Sequence, residues 1–438
     1  MSKFLLRSAL GTVVPHRKNT ADMQTVCMPL PSRVILPVSQ HIGAPAVPVV
    51  EKGSHVDVGT LVAQAAGWVS ANIHSGVSGT VREIAPLMMP NGAEVPAIVI
   101  EPDGAQTVDA AVCPPAVTDA ASFVEAVRAS GLVGLGGAGF PTHVKLSPPE
   151  KAELRYLLIN GAECEPYITA DNRTLLEEGE DVCEGIRLVQ KYLGIRKALI
   201  CIERNKQAAI DHMFELTARE PDMEVRPLPS RYPQGAEKVL IEKVTGREVP
   251  AGGLPADAGV LVLNATTAAF LARYLRTGMP LVTRRLTVDG DAVARRQNVE
   301  VIIGTPLQEV LDFCGGLAED TGKVLTGGPM MGIAMASTAF PVLKQNNAVL
   351  AFREASSHLP APQPCIHCGR CVNDCPVGLS PVQLAGAYRR QAVDELARLH
   401  AELCIECGTC SYVCPAMRPV TQSVRLAKGL LRQKGGKK

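Results

Sequence analysis

At 438 residues the chain is too long for one compact core, and domain-size statistics predict about three domains. A formal charge of +1, with 20 % charged residues, sets up no field that would gather nucleic acid. No stretch approaches the roughly 18 consecutive apolar residues of a membrane-spanning helix, and the apolar run after Met1 is too short for a signal peptide.

Residues 1–30 show no clear period and read as an N-terminal extension. From 31 to 113, short β-branched runs (Val47–Val50, Leu61–Gln64, Gly79–Ile84, Ala97–Ile100) are punctuated by Gly and Pro, which predicts an all-β domain. The run from Val49 to Leu61, followed by Ile73 to Val81, is similar to a biotinyl/lipoyl-type barrel-sandwich. Such carriers present a lysine on the hairpin between their halves. Gly67–Ala71 has none, so the domain reads as scaffold, with Trp68 as a packing or interface residue.

Pro114-Pro115 opens a region, 114–278, in which helices and strands alternate. Helices are predicted over Thr118–Ser130, Arg173–Leu193, Lys206–Arg219, Gly235–Thr245 and Thr266–Arg276. Strands are predicted over Arg155–Ile159, Ala198–Ile202 and Val260–Leu263, giving an α/β layer on a largely parallel sheet. Residues 279–350 read as a β-grasp-like (SLBB) module: strands at Leu281–Asp289, Val299–Ile303 and Lys323–Leu325 enclose a helix near Leu307–Phe313. The module ends at Gly327-Gly-Pro-Met-Met-Gly332. Residues 351–422 form a helical two-cluster ferredoxin module after the Pro-rich linker Ser356–Pro364. Residues 423–438 make a basic tail, which reads as frayed and solvated or, alternatively, as a docking segment for a partner or an anionic membrane surface. The fold class is therefore multidomain α/β.

The strongest chemical signal is a repeated run: Cys365-x2-Cys368-x2-Cys371-x3-Cys375-Pro376 and Cys404-x2-Cys407-x2-Cys410-x3-Cys414-Pro415. This is the spacing of a two-cluster [4Fe–4S] ferredoxin, in which the fourth cysteine of each run ligates the other cluster. The expected sets are Cys365, Cys368, Cys371 with Cys414, and Cys404, Cys407, Cys410 with Cys375. Structural zinc needs only four ligands and does not call for this run twice. The other six cysteines are scattered and read as buried thiols of a reducing compartment.

The second signal is Gly134-Leu135-Gly136-Gly137-Ala138-Gly139-Phe140-Pro141. A helix precedes these glycines where a dinucleotide fingerprint has a strand, so this is no ordinary Rossmann turn. Glycines this dense still let backbone N–H groups approach a phosphate. Downstream, a strand ends in Asn160-Gly-Ala162-Glu163-Cys-Glu165-Pro166. Ligands of open α/β sheets gather at the carboxyl ends of strands.

Together these motifs resemble the FMN- and NADH-binding subunit of respiratory complex I. The leading barrel-sandwich, the Gly-Gly-Pro-Met-Met-Gly module and the two cysteine runs narrow the resemblance to the C subunits of Rnf electron-transport complexes, over roughly residues 30–430. The resemblance implies non-covalent FMN, two [4Fe–4S] clusters and NADH as substrate. It also implies a peripheral place on the cytoplasmic side of the bacterial membrane, with partner subunits that move Na⁺ or H⁺ and reduce ferredoxin. By the same resemblance the flavin meets Gly134, Gly136, Gly137, Gly139, Lys145, Asn160, Ala162 and Glu163, and the nicotinamide nucleotide meets Phe140 and Glu165. Tyr232, Gly235 and Glu237 match one further family segment, and Asn264 and Thr266 another. The residues alone leave Lys145 open to being a surface lysine and Tyr232 to being a core tyrosine. Leu135 stands where the complex I pattern has arginine, and Pro148 where it has a second aromatic. Two alternatives remain on the sequence: a soluble cobalamin-reductase-type flavin/iron–sulfur enzyme, and a relay subunit that binds no nucleotide.

Overall fold

The computed structural model describes residues 11–149 and 151–435. The first ten residues of the expected extension and the last three of the expected tail lie outside them.

The short β-branched runs pair into two small antiparallel sheets. One orders Val34–Pro37, Glu94–Pro102, Gly79–Met88 and His55–Val56; the other orders Val47–Pro48, Leu61–Gln64 and Ile73–His74. Their inward residues (Val34, Val62, Ile73, Val81, Ile98, Ile100) are fully buried, as alternation along a half-buried strand requires. Trp68 lies at the face towards the next domain. Its ring meets His143 edge-on at 5.0 Å, and its carbonyl accepts from His143 Nε2 at 2.8 Å.

The α/β region builds a four-stranded parallel sheet in the order Met223–Leu228, Lys197–Glu203, Tyr156–Gly161, Val260–Asn264. The first strand in sequence thus sits inside the sheet, with the next two on one side and the last on the other. That reversal opens a crevice between the carboxyl ends of Tyr156–Gly161 and Val260–Asn264. The single helix expected over Arg173–Leu193 is two, Ala170–Glu177 and Gly179–Leu193. The chain leaves helical geometry at Glu178 (φ −130°, ψ 28°), whose carboxylate pairs with Arg285 of the neighbouring module at 2.6 Å.

The β-grasp-like module is a six-stranded sheet with the helix Leu307–Phe313 against it. Its outer strand, Thr25–Cys27, comes from the segment expected as an extension and pairs in parallel with Gln297–Ile302. That segment is woven into the molecule rather than trailing from it. Thr12 exchanges both backbone bonds with Tyr232 at 2.8 Å. Thr20, Thr169, Thr287 and Asn298 close a buried hydroxyl–amide network between segment, α/β domain and module. Alternating patterns could not reveal this, because the segment is held mainly by main-chain and side-chain hydrogen bonds rather than by an apolar face.

The cluster module packs the helices Pro381–Arg389, Val393–Arg398 and Val420–Gly435 around Leu384, Leu396, Val424 and Ala427. The expected frayed tail is corrected here: through Gly435 it is helix. Val424 and Ala427 are buried, while Arg425 and Lys428 both pair with Glu406 within the second cysteine run, at 3.0 and 2.5 Å. Basic composition masked an apolar stripe at i, i+3 spacing. Ending the chain after Pro419 should therefore strip this core and lower the iron and sulfide bound per chain. A tail that merely frays would leave both unchanged.

Candidate functional site

The glycine loop lies over the crevice of the parallel sheet. Leu135 N–H donates to Thr267 Oγ1 at 3.0 Å, and the Leu135 carbonyl accepts from Arg284 at 2.5 Å, so both sides of the loop are fixed from below. Gly136 packs on the Asn264 side chain so closely that an added Cβ would lie 3.2 Å from it. Beyond that contact the loop opens. Gly136, Gly137 and Ala138 are exposed, and their N–H groups donate to no group among the described residues. Gly137 has φ +110°, and a Cβ there would meet no atom within 4 Å. A run of free main-chain donors above a strand-end crevice fits the phosphate and ring of a flavin mononucleotide.

The strand ends frame that crevice. Asn160 and Asn264 are direct neighbours across the two strands. Asn160 donates to the Gly235 carbonyl at 2.8 Å and accepts from Ala162 N–H at 3.2 Å. Asn264 caps the helix Ala265–Thr277 through Thr267 N–H and donates to Asp171 at 2.7 Å, while Thr266 donates to the other Asp171 oxygen at 2.8 Å. Lys145 pairs with Glu237 at 2.5 Å and reaches the Val262 carbonyl at 3.3 Å. Phe140 is half-buried at the end of the loop.

The two glutamates of the acidic strand end point elsewhere. The Glu163 carboxylate accepts from the N–H groups of Asp171 (2.6 Å) and Asn172 (3.3 Å) at the start of the helix Ala170–Glu177. Both Glu165 oxygens accept main-chain bonds from the β-grasp-like module, Met331 at 2.8 Å and Met330 at 3.0 Å. Burial pushes Glu165 up to about 7, and those two N–H groups act against the rise.

Residues that sequence reasoning missed hold this loop from behind. Lys18 Nζ donates to the carbonyls of Glu163 (2.7 Å), Glu165 (2.9 Å) and Ile168 (2.6 Å). Lys206 donates to the Ala162 carbonyl at 2.6 Å. Burial lowers Lys18 to about 8, with the neighbouring Lys206 charge acting the same way. Lys18 belongs to a segment without periodicity, and no motif marks it.

The two cysteine runs adopt one repeated backbone. His367 and Glu406 share φ 56°; Gly369 and Gly408 follow at +75° and +82°; each run then makes a four-residue helix, Arg370–Asn373 and Thr409–Tyr412. Cys375, Cys404, Cys407 and Cys410 line one hollow together with Leu379, Leu384 and Val424. Leu379 N–H points at the Cys375 sulfur (3.3 Å) and Glu406 N–H at the Cys404 sulfur (3.4 Å). In the other group, burial raises the Cys371 thiol first, and then the nearby charges of Cys414, Cys365 and Cys368. Four thiolates crowded in apolar surroundings repel one another, so they ionise together only around a positive centre such as iron. The hollow lined by Cys375, Cys404, Cys407 and Cys410 suits a cluster held by four thiolates.

The second cysteine run meets the α/β domain at Tyr232. Tyr232 is buried, and its hydroxyl donates to the Cys407 carbonyl at 2.6 Å. Val14, Tyr232 and Cys407 form a small apolar cluster with Cys164, Met330 and Ile405.

A flavin cradle joined to a dicluster module defines a flavin/iron–sulfur electron-transfer protein. Models of four families match along the chain: the RnfC barrel sandwich hybrid domain at 7–105, the Nuo51 FMN-binding domain at 127–273, the SLBB domain at 285–334 and the 4Fe-4S dicluster domain at 345–418. The C subunit of the Na⁺-translocating ferredoxin:NAD⁺ oxidoreductase complex of Acetobacterium woodii is 44 % identical over 422 residues, covering 95 % of each chain. Its counterpart in the proton-translocating complex of Clostridium ljungdahlii is 41 % identical, covering 87 % of this chain and 84 % of its own. The counterpart in the ion-translocating oxidoreductase complex of Rhodobacter capsulatus is 40 % identical, over 97 % and 82 %. The chain belongs to this family of C subunits of ion-translocating oxidoreductase complexes.

Gly137 decides whether the cradle is the flavin site. Gly137→Val places a branched side chain in the open space and at a φ that L residues resist. FMN released by acid should fall at least roughly tenfold for a phosphate cradle filled this way, with iron content unchanged. Flavin retained in full would remove the loop from the site.

Proposed function

We propose that this chain is the electron-input subunit of a membrane-associated ferredoxin:NAD⁺ oxidoreductase complex. The contact between Tyr232 and the Cys407 carbonyl carries the reading, because it joins the flavin cradle to one particular group of cysteines. Bound FMN supplies the chemistry that converts a two-electron hydride into single electrons. The chain's own residues do the rest.

The free N–H groups of Gly136, Gly137 and Ala138 bind the flavin phosphate. Asn160 and Asn264, each locked by its own hydrogen bonds, shape the crevice for the ring. NADH enters from the open side, past Phe140. Cys375, Cys404, Cys407 and Cys410 hold the cluster nearer the flavin, and their shared hollow supports that pairing. Cys365, Cys368, Cys371 and Cys414 hold the cluster from which electrons leave. In that set Cys368 is exposed, beside the exposed Ile366.

No helix of the described residues is long and apolar enough to cross a membrane. The proposal gives ion movement to partner subunits and puts this chain at the cytoplasmic side, where NADH is found.

An anaerobic titration of the reconstituted protein tests the reading. NADH should bleach the flavin band and then the cluster bands, with two electrons delivered per NADH. Bleaching by dithionite but not by NADH would sink the NADH-entry claim.

A further inference from the structure

The Gly327–Gly332 loop stands out in the sequence, yet neither flavin nor cluster accounts for it. Its position does. Gly332 N–H closes the loop on the Gly328 carbonyl at 2.7 Å, which turns the N–H groups of Met330 and Met331 towards the flavin domain. Those two groups occupy both oxygens of Glu165. A Cβ on Gly328 would run into the same carboxylate. The opposite side of the loop faces the cluster module: a Cβ on Gly408, in the second cysteine run, would lie 2.6 Å from the Met330 carbonyl. Tyr232, from the same domain as Glu165, completes the junction by donating to the Cys407 carbonyl at 2.6 Å.

The glycines at 328 and 408 are thus space requirements of one three-way contact. The flavin domain contributes Glu165 and Tyr232, the β-grasp-like module contributes its loop, and the cluster module contributes Cys407 and Gly408. A carboxylate that accepts one N–H on each oxygen is directionally fixed, because such charge-assisted bonds are short and roughly twice as strong as neutral ones. The two bonds tie the position of the Glu165 carboxylate to the loop of the β-grasp-like module.

We propose that the Gly327–Gly332 loop is a clip that sets the rate of flavin-to-cluster electron transfer, with Glu165 as its positioning residue rather than a nucleotide contact. The inference rests on the functional reading above for its electron donor. The step moves one electron and no atom: the flavin side is oxidised by one, the cluster of Cys375, Cys404, Cys407 and Cys410 is reduced by one, and NADH is the source. The clip contributes distance and orientation only.

Two variants of the full chain test this. In Glu165→Gln the amide offers one acceptor and turns a donor towards a main-chain N–H, so one of the two bonds is lost. Gly328→Ala keeps the charge of Glu165 but pushes its carboxylate away. Hydrogen exchange at Met330 and Met331 should quicken about tenfold or more in both variants, as expected for loss of a charge-assisted bond. In anaerobic stopped flow with NADH, Gly328→Ala should reduce its flavin as the unaltered protein does. Its cluster bands should then lag by about tenfold to a hundredfold, the scale of an ångström of misplacement. Iron content should be unchanged in both.

A Glu165→Gln protein with a raised KM for NADH, unaltered exchange and an unaltered cluster lag would overturn the clip and return Glu165 to the nucleotide. Should NADH leave the flavin of the unaltered protein oxidised, the functional reading fails instead. The exchange comparison needs no reductant and still decides whether the clip exists.

Discussion

Single-electron transfer between two modules demands a fixed, short separation, and the hydrogen bond from Tyr232 to the Cys407 carbonyl ties the α/β domain to the second cysteine run. One such bond contributes about 0.5–1.5 kcal/mol net. That is too little to hold a ferredoxin module against a flavin domain. Adhesion comes from the apolar cluster of Val14, Tyr232 and Cys407 with Met330 and Ile405. The bond adds direction: it holds the second cysteine run against the flavin side.

The junction in turn depends on an unusual mortar of buried lysines. Lys18 gathers three carbonyls of the loop that carries Glu165. Lys344 does the same at the far side of the glycine loop, donating to the carbonyls of Asn72 and Gly131 and so joining barrel-sandwich, α/β domain and β-grasp-like module. Burial alone pulls Lys344 down to about 7. Removing an ammonium from water costs several kcal/mol, and a charged hydrogen bond returns about 1.5–3 kcal/mol. Lys18, with three such bonds, offsets its burial; Lys344, with two, does so less completely. Each lysine makes contacts between segments far apart in sequence. The barrel-sandwich, which lacks a carrier lysine, thereby serves to brace the glycine loop.

What the sequence revealed follows from the range of the forces involved. The cysteine runs, the glycine loop and the alternating strands are local patterns, and they stand in the structure as sequence reasoning places them. The switch-point crevice was legible in outline, since Asn160 and Asn264 each end a strand. The roles of Glu163 and Glu165 were not. Their spacing suggests a ligand-facing pair, but the partners that occupy them, Asp171 N–H and the Met330–Met331 main chain, lie in other elements. The extension and the tail were misread for one reason: polar composition hides a segment that is held by hydrogen bonds, as at Lys18 and Thr20, or by a narrow apolar stripe, as at Val424 and Ala427.

The proposed mechanism has an order of events at its centre: electrons would leave the flavin for a cluster held by Cys375, Cys404, Cys407 and Cys410 before reaching one held by Cys365, Cys368, Cys371 and Cys414. Rapid freeze-quench EPR after mixing with NADH reads that order, with Cys375→Ala used to assign the signals. The signal missing from Cys375→Ala should appear first in the unaltered protein, and the other should follow. Earlier reduction of the other cluster would contradict it.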